Sequence, residues 1–131
     1  MKPLSLMLAA ACIAMLSETG HAAGGFHMTG EELTKYCLAF RQFKQQAGRA
    51  TSQERHDAAL CIGYVEGILD SESLGGGSPS HFPAACPPND ANSNTLAEVV
   101  AIFLDQNPAL RHHTGYHLVK LALEHSYPCK R

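Results

Sequence analysis

The chain has no tryptophan, only nine other aromatic residues and only 17% Asp, Glu, Lys and Arg across 131 residues. A core built from so few large side chains is modest, and a domain of this size gains from covalent staples. A net charge of −2 leaves no basic footprint for nucleic acid or for an anionic membrane surface. No Cys-x-x-Cys occurs, which argues against a thiol redox or zinc-ribbon motif. No Gly-x-Ser-x-Gly elbow and no His-Glu-x-x-His helix is present, so neither a serine hydrolase nor a zincin is signalled. The Gly75-Gly76-Gly77 run lacks the Lys-Ser/Thr of a phosphate loop. Beyond the N-terminal stretch, no apolar run is long enough to span a membrane. Alternating strand patterns and internal repeats are also missing. At 45% hydrophobic, the chain is still a folded globule in composition.

The N-terminus reads as an address. Lys2 supplies a positive start, Leu4 to Leu16 is almost unbroken apolar sequence, and Gly20-His21-Ala22 sets small residues around a cleavage point. Residues 1–22 are therefore expected to be a cleaved secretory signal peptide that delivers residues 23–131 to the periplasm. Ala9-Ala10-Ala11-Cys12 is lipobox-like and offers a lipidated alternative. With Cys12 removed, Cys37, Cys61, Cys86 and Cys129 remain, and an even set in an exported small domain implies disulfides.

Four helical patterns follow. Thr29-Gly30-Glu31-Glu32 fits a capping box, and Leu33, Tyr36, Cys37, Phe40 and Phe43 recur at helical spacing, with Gly48 as a stop. Thr51-Ser52-Gln53-Glu54 is a second box, before a stripe of Leu60, Cys61, Tyr64, Val65, Ile68 and Leu69. Gly63 and Gly67, one turn apart, suggest a close helix–helix approach, because each costs about 1 kcal/mol against Ala. Residues 71–94, rich in Gly, Ser and Pro, are expected as a long loop. Thr95-Leu96-Ala97-Glu98 is expected to open a third helix striped with Leu96, Val99, Val100, Phe103 and Leu104, broken by Asn107-Pro108. Pro108 is a candidate first residue of a fourth helix carrying Leu110, Leu118, Val119, Ala122 and Leu123. The expected fold is all-α: a small disulfide-stapled four-helix domain made of two helical hairpins.

Hairpin geometry selects a cysteine pairing. Cys37 and Cys61 stand symmetrically about Arg49, beside the Gly48 turn, and Cys86 and Cys129 stand symmetrically about Asn107-Pro108. Antiparallel helices bring such residues side by side, so Cys37–Cys61 and Cys86–Cys129 are the expected bridges. A reactive or metal-binding thiol set is the competing reading.

Other candidate chemistry is sparse. His113 and His117, spaced i, i+4 with His112 and Glu124 near in sequence, could present imidazoles to zinc or copper, but no third ligand is evident. Solvated histidines are the bland alternative. Arg41, Lys44, Arg49 and Arg55 gather around the first turn, as a solvated cap or as a contact patch for an acidic partner.

Several segments together resemble the Rap/Tai family of type VI secretion immunity proteins. Cys61-Ile62-Gly63-Tyr64-Val65-Glu66-Gly67 looks like that family's Cys-x-Gly-Tyr-hydrophobic-x-Gly helix, and Cys86-Pro87-Pro88 looks like its Cys-x-Pro segment. Val99-Val100, Leu104 and Asn107-Pro108 resemble its third helix and turn, and Tyr127-Pro128-Cys129 its aromatic-Pro-Cys end, while Gly115 stands where Ala is usual. The resemblance implies a periplasmic protein without an enzymatic site or cofactor. It implies a cognate cell-wall amidase toxin as protein partner, inhibition by covering the toxin's cleft, and a homodimer. Neither nucleic acid nor a membrane span is expected. The 72–92 loop, with Gly75, Gly76, Gly77, His81 and Phe82, is the expected partner-binding segment. The alternatives are a periplasmic helical binding or chaperone-like module, acid-responsive through its histidines, and a small metal-binding protein or hydrolase.

Overall fold

The computed structural model describes residues 27–46, 48–74 and 85–129. The expected signal peptide lies outside the described residues. So do Gly75, Gly76, Gly77, His81 and Phe82. Helix α1 runs Gly30–Gln45, α2 Ser52–Leu74, α3 Ser93–Gln106 and α4 Gly115–Ser126, with a 3-10 turn at Pro108–Leu110. Among the described residues there is no strand, only isolated bridges between Thr29 and Thr114 and between Ala85 and Pro128. The fold is the expected all-α one.

Both capping boxes form. Thr29 Oγ1 accepts from the Glu32 amide at 3.2 Å, while the Glu32 carboxylate accepts from the Thr29 amide at 2.9 Å. Thr51 and Glu54 repeat the exchange at 3.2 and 2.7 Å. Each reciprocal pair satisfies amides that a helix start leaves without partners. Gly48, at φ +90°, makes the turn after α1.

The four helices close over one core. Leu33, Cys37 and Phe40 of α1 are buried at three- and four-residue spacing, and Ala58, Cys61, Val65 and Ile68 answer from α2. Leu96, Val100 and Leu104 of α3 meet Leu118, Val119, Ala122 and Leu123 of α4. α1 packs on α2 in the first hairpin and also on α3, which joins the hairpins through one contiguous core. Both expected disulfides are present, each with a Cα–Cα distance of 4.9 Å. Cys37–Cys61 links two helices. Cys86–Cys129 links extended segments flanking the second hairpin, where the Cys86 amide donates to Tyr127 O at 2.7 Å.

Four local expectations need correction. α2 continues to Leu74 and α3 begins at Ser93, so the connection is shorter than 71–94. The cap of α3 is Asn92, whose side chain accepts from the Thr95 amide, and Thr95 lies inside the helix. Pro108 opens the separate 3-10 turn, and α4 starts only at Gly115, capped by Thr114. Finally, Gly63 and Gly67 mark no close approach: a Cβ on either would meet nothing within 4 Å. The close approach is at Gly30, where a Cβ would collide with Arg111 O, lie 2.5 Å from Leu118 Cδ1 and lie 2.7 Å from His113 O.

Candidate partner-binding surface

Residues preceding α1 run antiparallel to the segment preceding α4. The Gly30 amide donates to His113 O at 2.9 Å, and the Gly115 amide donates to Met28 O at 2.8 Å. Tyr64 of α2 closes on this seam. A Cβ on Gly115 would stand 3.0 Å from both the Tyr64 hydroxyl and Met28 O, so glycine lets the ring approach. The result is a cavity of about 290 Å³ lined by His27, Met28, Glu32, Tyr36 and Tyr64.

The chemistry of this cavity is that of aromatic rings beside a carboxylate. Bonds from the Thr29 amide and hydroxyl, at 2.9 and 2.8 Å, both end on Glu32 Oε2. They hold the Glu32 carboxyl below the usual carboxylate range, with a smaller contribution from Lys35. Burial pushes the Tyr64 hydroxyl up, partly offset by a backbone hydrogen bond from Tyr116. Tyr36 precedes Cys37 and Tyr64 follows Cys61 by one helical turn, so the first disulfide pins both rings' helices. The ammonium of Lys35 stands 5.2 Å from the Tyr36 ring centroid and 3.6 Å from Asp57.

The histidines do come together, but across a helix start. His113 precedes the Thr114 cap, and His117 lies in the first turn of α4, so they do not share one helix as expected. Ring centroids are 4.1 Å apart for His112–His113 and 4.9 Å for His113–His117. Burial, then the charges of His112 and His117, lower the affinity of His113 for its proton. Among the described residues, no group of three or more His, Cys, Asp or Glu could hold a metal ion.

The basic residues near the first turn are mostly engaged internally. Arg41 Nη1 reaches Asp105 at 2.9 Å, and Lys44 reaches Glu98 at 2.8 Å, tying α1 to α3. Arg41 Nε lies 3.5 Å from Glu98 but makes no hydrogen bond. Arg55 donates to Ala50 O at 2.7 Å, while Arg49 is exposed. Large apolar exposure falls elsewhere, at Ile102 (37%) and Tyr116 (42%). Ile102 borders a shallow hollow of about 100 Å³ with Val99, Phe103 and His125. Among the described residues, no helix is long and apolar enough to cross a membrane.

A family model described as Rap1a immunity proteins matches residues 29–129. The chain belongs to this family. The match begins at the Thr29 cap and ends at Cys129, so it takes in both disulfides and every described helix. No curated protein and no solved structure matches the chain. Membership in the Rap1a family makes it an immunity protein, with a toxin as the implied partner. The sequence marks Tyr36 as an apolar stripe residue, Tyr64 as a stripe residue within the Cys-x-Gly-Tyr segment, and Glu32 as part of a cap. Their meeting in one cavity depends on the long-range pairing of Met28 with Gly115.

Proposed function

We propose that this protein acts in the periplasm, where it binds a cell-wall amidase toxin and inhibits it by covering its active cleft. The observation that carries the reading is the family match over the whole disulfide-stapled helical domain. Two disulfides fit an oxidising compartment, and residues 1–22 read as the signal that delivers the chain there. The protein works as a stoichiometric plug and not as an enzyme. A rigid, cross-linked scaffold lowers the ordering cost of holding such a binding surface. The 72–92 segment, with Gly75, Gly76, Gly77, His81 and Phe82, is the proposed cleft-entering element, and the working form is a homodimer.

Survival tests the proposal. Cells carrying the amidase encoded nearest this gene, directed to the periplasm, should lyse unless the protein is co-expressed with its leader. Equal protection by a leaderless form, or none by either, would overturn it. Replacing residues 73–80 with an unrelated linker should abolish protection if that segment enters the cleft. Light scattering of the purified protein at working concentration should report the dimer mass.

A further inference from the structure

The cavity at the start of α1 has the composition of a cation receptor. Its lining joins the rings of Tyr36 and Tyr64 to one carboxylate, Glu32, with Met28 and His27 completing the described wall. Aromatic faces attract cations through the ring quadrupole, and more strongly when the cation is shielded from water. The placement of Lys35 over Tyr36 shows an ammonium taking up this kind of contact at the same ring.

The carboxylate sets the sign of what can enter. Both Thr29 bonds fall on Glu32 Oε2, so Oε1 carries neither of them. An apolar side chain filling the cavity would sit against the exposed Glu32 carboxylate and offer it no hydrogen bond, which costs free energy wherever it displaces water from that oxygen. An acidic side chain would meet like charge. A basic side chain satisfies the oxygen with a charge-assisted bond and lays its stem along the rings. At about 290 Å³ the volume lies just below the range of ordinary small-molecule pockets. That suits one inserted side chain better than a whole metabolite.

The site is also built to keep its shape. Glu32 is fixed by the capping box, Tyr64 by a backbone bond from Tyr116 and by the absence of a side chain on Gly115, and the two tyrosine-bearing helices by Cys37–Cys61. Pre-organisation of this kind is what an anchor pocket needs.

We infer that the His27–Glu32–Tyr36–Tyr64 cavity receives an arginine or lysine side chain presented by the toxin, as an anchor of the immunity complex. This rests on the immunity reading above, and the test separates the two.

The probes are N-acetyl-arginine methylamide, N-acetyl-lysine methylamide and the neutral N-acetyl-norleucine methylamide, titrated into the oxidised protein while the tyrosine ring signals are followed by NMR. The basic probes should shift Tyr36 and Tyr64 saturably, with norleucine about tenfold weaker. Glu32→Gln should remove about the same factor, because glutamine still closes the capping box but carries no charge. Tyr36→Leu, with helicity checked by circular dichroism, should weaken basic probes and spare norleucine. In parallel, Glu32→Gln should weaken binding to the amidase about tenfold, with a smaller salt dependence. Equal binding of norleucine and arginine, or ring signals that no probe moves, overturns the inference. So does an amidase affinity unchanged by Glu32→Gln, and the immunity reading would then survive intact. If the basic probes bind as expected but the unmodified protein ignores the amidase, it is the immunity reading that fails.

Discussion

Cys37 and Cys61 join α1 to α2 with their Cα atoms 4.9 Å apart, beside Tyr36 and one helical turn before Tyr64. The bridge therefore staples the first hairpin and the cavity lined by Tyr36 and Tyr64 with one bond. In the chain-entropy picture, closing 24 residues is worth about 3.5 kcal/mol. Replacing both cysteines with alanine should lower Tm by roughly 10–25 °C, measured by thermal circular dichroism. A shift of only a degree or two would mean that packing alone holds the hairpin.

The glycines make opposite predictions. Gly30→Ala should destabilise by about 2–3 kcal/mol, since its Cβ meets the backbone of Arg111 and His113 as well as Leu118. Gly63→Ala and Gly67→Ala should each stabilise by about 0.5–1 kcal/mol, because the space is open and alanine favours helix. Urea unfolding of the three variants checks the ordering. Loss of stability on replacing Gly63 or Gly67 would restore the close approach that their spacing suggested.

The helix caps should be separable. Thr29→Ala removes the hydroxyl that accepts from the Glu32 amide and donates to its carboxylate, and should cost about 1 kcal/mol. Asn92→Ala should cost about as much at α3, whereas Thr95→Ala should cost less, because Asn92 is the cap. Equal losses at positions 92 and 95 would contradict the assigned start of α3.

Acid should weaken the fold in two windows. His113 holds its proton less well when folded, so the unfolded chain binds that proton first. Its contribution is present above the ordinary histidine range and lost as pH falls through that range to the lowered folded value. Glu32 and Glu54 are depressed by their capping bonds to Thr29 and Thr51. Their contribution is present above the ordinary glutamate range and lost as pH falls through the lowered folded values. Urea midpoints measured across pH should show both declines. His113→Gln should flatten the upper one and leave the lower one in place.

Much of this architecture is legible in the sequence, for physical reasons that also mark where legibility stops. The disulfides could be assigned because antiparallel helices bring together residues equidistant from a turn, and Gly48 and Asn107-Pro108 mark the turns. The boxes at Thr29 and Thr51 are local, so they survive folding unchanged. Local signals fail where two compete. Asn92 and Thr95 can each cap a helix, and the polar stretch Asp70-Ser71 hides the end of α2 because it shows no apolar period. Periodicity could not say which face Gly63 and Gly67 occupy. The cavity was invisible for a different reason: it depends on Met28 pairing with Gly115, a contact that no window of neighbouring residues contains.

The most direct test of the central claim is calorimetric titration of the oxidised protein into the amidase encoded nearest its gene, with peptidoglycan hydrolysis followed in the same samples. Saturable binding of one protein chain per amidase, with hydrolysis falling in step with occupancy, is the predicted result. An amidase that binds nothing and digests peptidoglycan undiminished at a large excess of the protein would contradict it.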